Sequence, residues 1–173
     1  MNTNTFDSPA LPSPGKVESL HVHPPEPGAP MVSVDFLDLV AQQGIRNDPR
    51  YFARLSRKTG QPTRRQVSLI EREQIAEHAA VLGLQSIAPG AVRSNIETTG
   101  IQLVSLLGQH VRIGDAVLLL YDARTPCQRM DDLCQGLRQL MESQRQGVMA
   151  EVIKSGRITI GDAITLEKLP ASR

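Results

Sequence analysis

Two stretches of the chain echo each other: Arg112-Ile113-Gly114-Asp115-Ala116-Val117-Leu118-Leu119-Leu120 and Thr159-Ile160-Gly161-Asp162-Ala163-Ile164-Thr165-Leu166-Glu167. In each, a Gly-Asp turn leads into an apolar strand. Glycine adopts the left-handed backbone angles that a tight turn demands, so both strands are entered in the same way. The unit occurs only twice, which does not make a stacked solenoid. It implies a curved sheet instead.

Other short segments agree. Residues 17–22, 31–34, 66–70 and 148–153 carry β-branched and aliphatic strand character, and 91–96 reads as a strand or extended segment. The proline-rich run His23-Pro24-Pro25-Glu26-Pro27-Gly28 ends the first of these, because proline supplies no ladder donor. Helical spacing of apolar residues occurs at 71–82 and again at 128–145, each closed by a glycine. Many short strands and two main helices, without regular strand–helix alternation, predict an α+β, predominantly β domain. Its expected architecture is a β-barrel or strongly curved sheet.

The chain has 173 residues, room for one domain, which is expected to span 15–170 after a tail at 1–14. That tail is rich in Asn, Thr, Ser and Pro and has no face to bury, so it is expected to be disordered. Aromatic residues are 3% of the chain and Trp is absent, so the core must be aliphatic and stacking on nucleic-acid bases has little to work with. The formal net charge of +1 offers no broad field for nucleic acid or an anionic membrane, though a few local arginines can still hold a small anion. No apolar run approaches the roughly 18 residues of a membrane-spanning helix, and the start lacks a secretory pattern. Two cysteines are too few for a disulfide scaffold. A cytoplasmic protein with reduced thiols is the expectation.

The stretch 43–65 is polar, basic and turn-rich, and carries Arg46, Arg50, Arg54, Arg57, Lys58, Arg64 and Arg65. It reads either as a solvated loop or as a functional one. Cys127 sits in Arg124-Thr125-Pro126-Cys127-Gln128-Arg129, between an apolar strand and a helix start. Arginines on both sides and a helix N-terminus favour a thiolate, the form that attacks sulfur or binds a soft metal. The alternative is a small residue filling the junction. Cys134 falls on the apolar helix face and reads as core. His21 and His23 share a strand face, and two ligands do not make a metal site, so a solvated pair is expected. Arg93 and Asn95 point the same way if their segment is extended, a donor pair suited to a phosphate or a pterin edge. A surface ion pair of Arg93 with Glu97 is the competing reading. No phosphate loop, nucleophile elbow or zinc-protease helix is present.

Taken together, three segments resemble the MOSC family, the C-terminal domain of molybdenum cofactor sulfurases. They are Arg65-Gln66-Val67-Ser68-Leu69-Ile70-Glu71; Pro89-Gly90-Ala91-Val92-Arg93-Ser94-Asn95-Ile96 with the glycine turns that follow; and Pro126-Cys127 with Gly147-Val148-Met149-Ala150-Glu151-Val152 and Ile160-Gly161-Asp162. The resemblance runs in family order over most of the chain. It implies a β-rich barrel handling the molybdenum cofactor (molybdopterin). Cys127 then corresponds to the family's catalytic sulfur-carrier cysteine or, in the amidoxime-reducing branch, to a metal ligand. Arg93, Ser94 and Asn95 correspond to the segment beside the cofactor, with Arg65 and Arg50 as further candidate contacts. The implied activity is reduction of an N-hydroxylated small-molecule substrate with electrons from a separate donor protein. The alternative is a carrier that receives sulfur from a donor protein as a persulfide on Cys127.

Departures from the family pattern are visible. Many members carry Gly-Asp-Arg where this chain reads Gly44-Ile45-Arg46-Asn47-Asp48-Pro49-Arg50; Asp48 aligns and proline takes the next position. The amidoxime-reducing branch has Lys-Ser where this chain has Glu18-Ser19, a carboxylate that repels a cofactor phosphate. Nothing in the chain corresponds to the sulfurases' pyridoxal-phosphate desulfurase domain, so family labels mentioning that cofactor are expected to describe the partner domain.

Overall fold

Strand β1 (Gly15–Val22) buries Val17 and Leu20 and turns Lys16 and Glu18 to water, the alternation of a sheet with one wet face. In the computed structural model, which describes residues 14–168, β1 is one stave of a closed barrel of seven strands. The tail expected at 1–14 and the expected domain end at 170 fall outside these residues, except for Pro14. The other staves are β5 (Val67–Glu71), β6 (Ile96–Thr99), β7 (His110–Ile113), β8 (Ala116–Ala123), β9 (Val148–Lys154) and β11 (Ala163–Leu166). Neighbours run β11-β7-β8-β9-β5-β6-β1, and β11 pairs back onto β1 at Gly15↔Ile164 and Lys16↔Ala163. The two echoed sequences meet directly, since β7 and β11 pair antiparallel with Ile113 opposite Ile164.

The β5–β6 pair is parallel, and helix α1 (Arg72–Val81) lies on its crossover. A parallel connection needs such a crossover, whereas the antiparallel pairs elsewhere turn back through loops. Strand β2 (Val32–Val34) adds to the outer edge of β1. A second small sheet joins β3 (Phe36–Val40), β4 (Gly44–Ile45) and β10 (Gly156–Thr159). Sequence patterning missed β3, and it left β4 within the polar loop.

Two cores share one strand. Val67 and Leu69 of β5 point into the barrel with Ile96, Leu118 and Val152, while Ile70 points outward with Ile75, Met130, Leu137 and Met141. All of β5 is therefore buried. Among the described residues no helix is long and apolar enough to cross a membrane.

Three expectations need correction. The helix expected over 128–145 is two short ones, α2 (Gln128–Leu133) and α3 (Leu137–Leu140). Asp131 Oδ1 accepts the backbone N–H groups of both Gly136 and Arg138, at 3.1 Å each, and Gly136 takes the left-handed conformation. These bonds turn the chain before α2 can continue. Cys134 then packs against the second core only in part. Segment 91–95 is a turn, not a strand: Arg93 has φ +60 and β6 begins at Ile96. His21 and His23 are buried rather than solvated.

Gly147 precedes β9 with φ +74, and a Cβ there would collide with the Leu69 carbonyl oxygen. Backbone cannot yield as a flexible side chain can. Gly147→Ala should therefore lower unfolding stability by about 3 kcal/mol or more in urea denaturation.

Candidate functional site

Asp48 holds three chain segments together. Its carboxylate is buried and accepts the Arg50 and Tyr51 backbone N–H groups on Oδ1, at 2.9 and 3.3 Å. Oδ2 accepts the His23 backbone N–H at 3.1 Å, His23 Nδ1 at 2.9 Å and Asn95 Nδ2 at 3.4 Å. The residues just past β1, the loop after β4 and the turn before β6 thus meet at one carboxylate. Burial pushes the Asp48 carboxyl up, but the bonds from His23 and Arg50 outweigh it and hold the group below its ordinary value.

Around this node the loops deliver cations. Tyr51 is buried, and Arg50 Nε donates to its hydroxyl at 3.0 Å. The Arg50 and Arg65 guanidinium carbons lie 5.4 and 5.5 Å from the Tyr51 ring centre, while the His23 ring meets it edge-on at 5.1 Å. Both arginines are within reach of the ring's electron-rich face. Arg93 is half-buried and donates from Nη1 to the Ala29 carbonyl at 2.8 Å. Burial lowers its pKa, and Arg129 and Arg50 add to the effect.

Arg124, just past the end of β8, is half-buried. Its Nη2 donates to the Arg93 carbonyl at 3.3 Å, whereas Nη1 is sealed from water with no partner among the described residues. Burial pulls its pKa down to about 10, with Arg65 and Arg50 contributing in the same direction. It remains charged at neutral pH. Cys127 occupies the N-cap position of α2 with an exposed thiol and no side-chain capping bond, close enough to Arg93 and Arg124 to interact electrostatically with both.

Like charges brought together in this way are chemically suited to an anion. A guanidinium offers a planar fork of N–H groups that matches phosphate oxygens, and enclosure strengthens the attraction. The nearby Asp48 does not cancel this field alone, since it brings one negative charge against Arg50, Arg65, Arg93 and Arg124.

The structure brings the sequence candidates Arg50, Arg65, Arg93 and Cys127 to one place. Ser94 and Asn95 lie beneath it. Both are fully buried, and Ser94 Oγ donates to the Ile96 carbonyl. Asn95 Oδ1 accepts from the Ser68 N–H and hydroxyl, and its Nδ2 donates to the His21 carbonyl and Asp48. The side chain of Asn95 is thus occupied in holding the turn. The left-handed Arg93 also breaks the extended geometry that would have put Arg93 and Asn95 on one side. Glu97 pairs with Arg72 at 3.0 Å, not with Arg93, and also accepts from Ser19 Oγ.

Sequence reasoning missed Tyr51, and it read Arg124 and Arg129 only as flanks of Cys127. Their nearness to that cysteine was the available signal. Nothing in the local pattern around Tyr51 marks it.

A family model described as MOSC domain matches residues 48–165. The chain belongs to the MOSC family. MOSC domains are associated with molybdenum cofactor binding. The fold is similar to the crystal structure of the YUAD protein from Bacillus subtilis, with a TM-score of 0.72, 22% identity, and coverage of 87% of this chain and 93% of that one. It is also similar to YiiM from Escherichia coli, with a TM-score of 0.63, 20% identity and coverage of 94% and 72%. YiiM from Geobacillus stearothermophilus gives a TM-score of 0.69 and 17% identity over 90% and 76%. Identities this low speak for the MOSC fold alone. No curated protein matches the sequence significantly.

Asp48→Ala leaves buried donors of His23, Arg50, Tyr51 and Asn95 unmet, so urea unfolding at pH 7 should show a loss of about 2–4 kcal/mol. The folded-state pKa of Asp48 lies below its unfolded value. Its contribution is therefore complete above about pH 4, near the ordinary Asp pKa, and is lost as pH falls through the folded value. The gap between native and variant stabilities should narrow accordingly on acidification.

Proposed function

We propose that this MOSC domain binds the molybdenum cofactor through the arginine cluster and that Cys127 is its reactive thiol. The observation that carries the reading is the convergence of Arg50, Arg65, Arg93 and Arg129 around Arg124 beside the Cys127 thiol. An anionic group with several acceptor oxygens supplies what those donors lack, and the phosphate of molybdopterin is such a group. Tyr51, buried and close to both Arg50 and Arg65, gives the cations a fixed wall to rest against.

In this reading Arg124 and Arg93 bind the phosphate, Asp48 and Asn95 hold the loops that carry the contacts, and Cys127 offers a thiolate ligand at the mouth. When bound, the cofactor supplies the two-electron redox chemistry that side chains lack. The reaction proposed is reduction of an N-hydroxylated compound, with electrons from a separate donor protein. The exposed position of Cys127 also favours a second reading. Its thiolate attacks the outer sulfur of a donor persulfide, the donor thiolate leaves, and the new persulfide passes its sulfur to the cofactor or another acceptor.

Protein from a cofactor-competent host should contain near-stoichiometric molybdenum and an oxidised pterin fluorescence signal. Cys127→Ser should lower molybdenum while retaining pterin, and Arg124→Met should lose both. Neither molybdenum nor pterin in the native protein would sink the tight-cofactor reading. A mass increase of one sulfur atom on Cys127 would then favour the carrier.

A further inference from the structure

The arginine cluster uses only part of the basic stretch between β4 and β5. Residues 49–70 hold six of the chain's 19 basic residues and none of its 18 acidic ones. Arg50 and Arg65 lie by Tyr51 in the cluster. Arg54, Arg57 and Lys58 stand apart. All three are exposed, and none has an ion-pair partner among the described residues.

A charge run is ordinarily a solvated loop, with water as its only partner. The backbone here is better fixed than that. Leu55 and Pro62 form an antiparallel bridge, flanked by bonds from the Thr63 N–H to the Arg54 carbonyl at 2.9 Å and from the Ser56 N–H to the Gln61 carbonyl at 2.8 Å. The Ser56 carbonyl accepts the Gly60 N–H at 2.8 Å, and its hydroxyl accepts the Lys58 and Thr59 N–H groups at 3.2 and 3.4 Å. The result is a small hairpin with Arg57 and Lys58 at its tip. Its base is fastened by the Ala53 N–H, which donates to the Gln43 carbonyl at 2.9 Å. Arg64 fastens it again, bonding Glu151 at 2.9 Å and lying over the Tyr121 ring at 4.3 Å. A turn held in this way presents its cations in one arrangement and has less backbone freedom to lose on contact.

The hairpin also carries an apolar spot. Leu55 is 56% exposed and Pro62 is exposed beside it, since directly opposed residues of an antiparallel pair share a face. Aliphatic surface rimmed by arginines is the make-up of a protein–protein contact. Nucleic acid fits less well, because neither aromatic side chain of the segment is free to stack on bases: Tyr51 is buried and Phe52 half-buried. An anionic bilayer calls for a larger apolar anchor than one leucine and one proline. We propose that the hairpin at 54–63 is a docking surface for a protein partner whose acidic face surrounds an aliphatic side chain. Arg64 and Arg65 join the hairpin to the arginine cluster, so this partner sits at the rim of the candidate site. That the partner is the electron or sulfur donor rests on the proposed function.

The test titrates the full chain at near-physiological salt and follows the Leu55, Arg57, Lys58 and Gly60 amide signals by NMR. The probes are decaglutamate, the same peptide with its two central residues replaced by leucine, decathymidylate, and vesicles of phosphatidylserine and phosphatidylcholine mixed three to seven. The leucine-bearing peptide is expected to give saturable shifts and to bind about tenfold tighter than decaglutamate. Leu55→Ser should erase that difference, and Arg57→Glu combined with Lys58→Glu should weaken both peptides by about tenfold. Equal binding of the two peptides by native protein would overturn the proposal, leaving charge attraction alone. Tighter binding of decathymidylate or of the vesicles, shifts absent from the hairpin, or an unchanged affinity in the charge-reversed protein would overturn it equally. Should a variant fail to fold, the order of the probes on native protein decides the matter. No probe involves molybdenum, so this result and the molybdenum content of the native protein stand or fall separately.

Discussion

The pairing of β11 with β1 is the constraint on which the rest depends. It joins the strand that opens the described chain to one near its end, and turns a curved sheet into a closed barrel with Val17, Leu20, Ile113 and Ile164 in the same core. An open sheet would leave two rows of unpaired backbone groups at its edges. Closure removes them and fixes where every loop emerges. The loops need that frame, because the contacts between them are polar and pay off only when several segments arrive together.

Asp48 shows how the frame becomes a site. A buried carboxylate is costly unless its oxygens are met, and here the donors come from the end of β1, its own loop and the turn before β6. Folding therefore couples these segments, and the arginines they carry are held near one another despite their repulsion. Under the proposed function an arriving anion relieves that repulsion, which is how a preorganised binding site differs from a merely basic surface. The distribution is local: the whole chain has a net charge of only +1.

Much of the scaffold was legible in the chain. The Gly-Asp echo marked strands that prove to be neighbours, and the β-branched and aliphatic character of Val17, Leu20 and Val22 marked β1. The second helix was not, because its apolar spacing continues through a region where Asp131 and Gly136 redirect the backbone. Periodicity reports which residues want burial and is blind to a side chain capping a neighbouring turn. The same blindness hid β3, and it led to solvated readings of His21 and His23, whose partners Ser94 and Asp48 lie far along the sequence.

By itself, the sequence determined a β-rich barrel or strongly curved sheet of aliphatic core and set Cys127 beside Arg124 and Arg129, because local patterning and adjacency are written in the order of residues. Only the tertiary structure decided which arginines share a site, that Asn95 holds the turn beneath it, and that Arg124 keeps an unmet donor. Those outcomes depend on distances between segments far apart in the chain, and closing the barrel is what sets them.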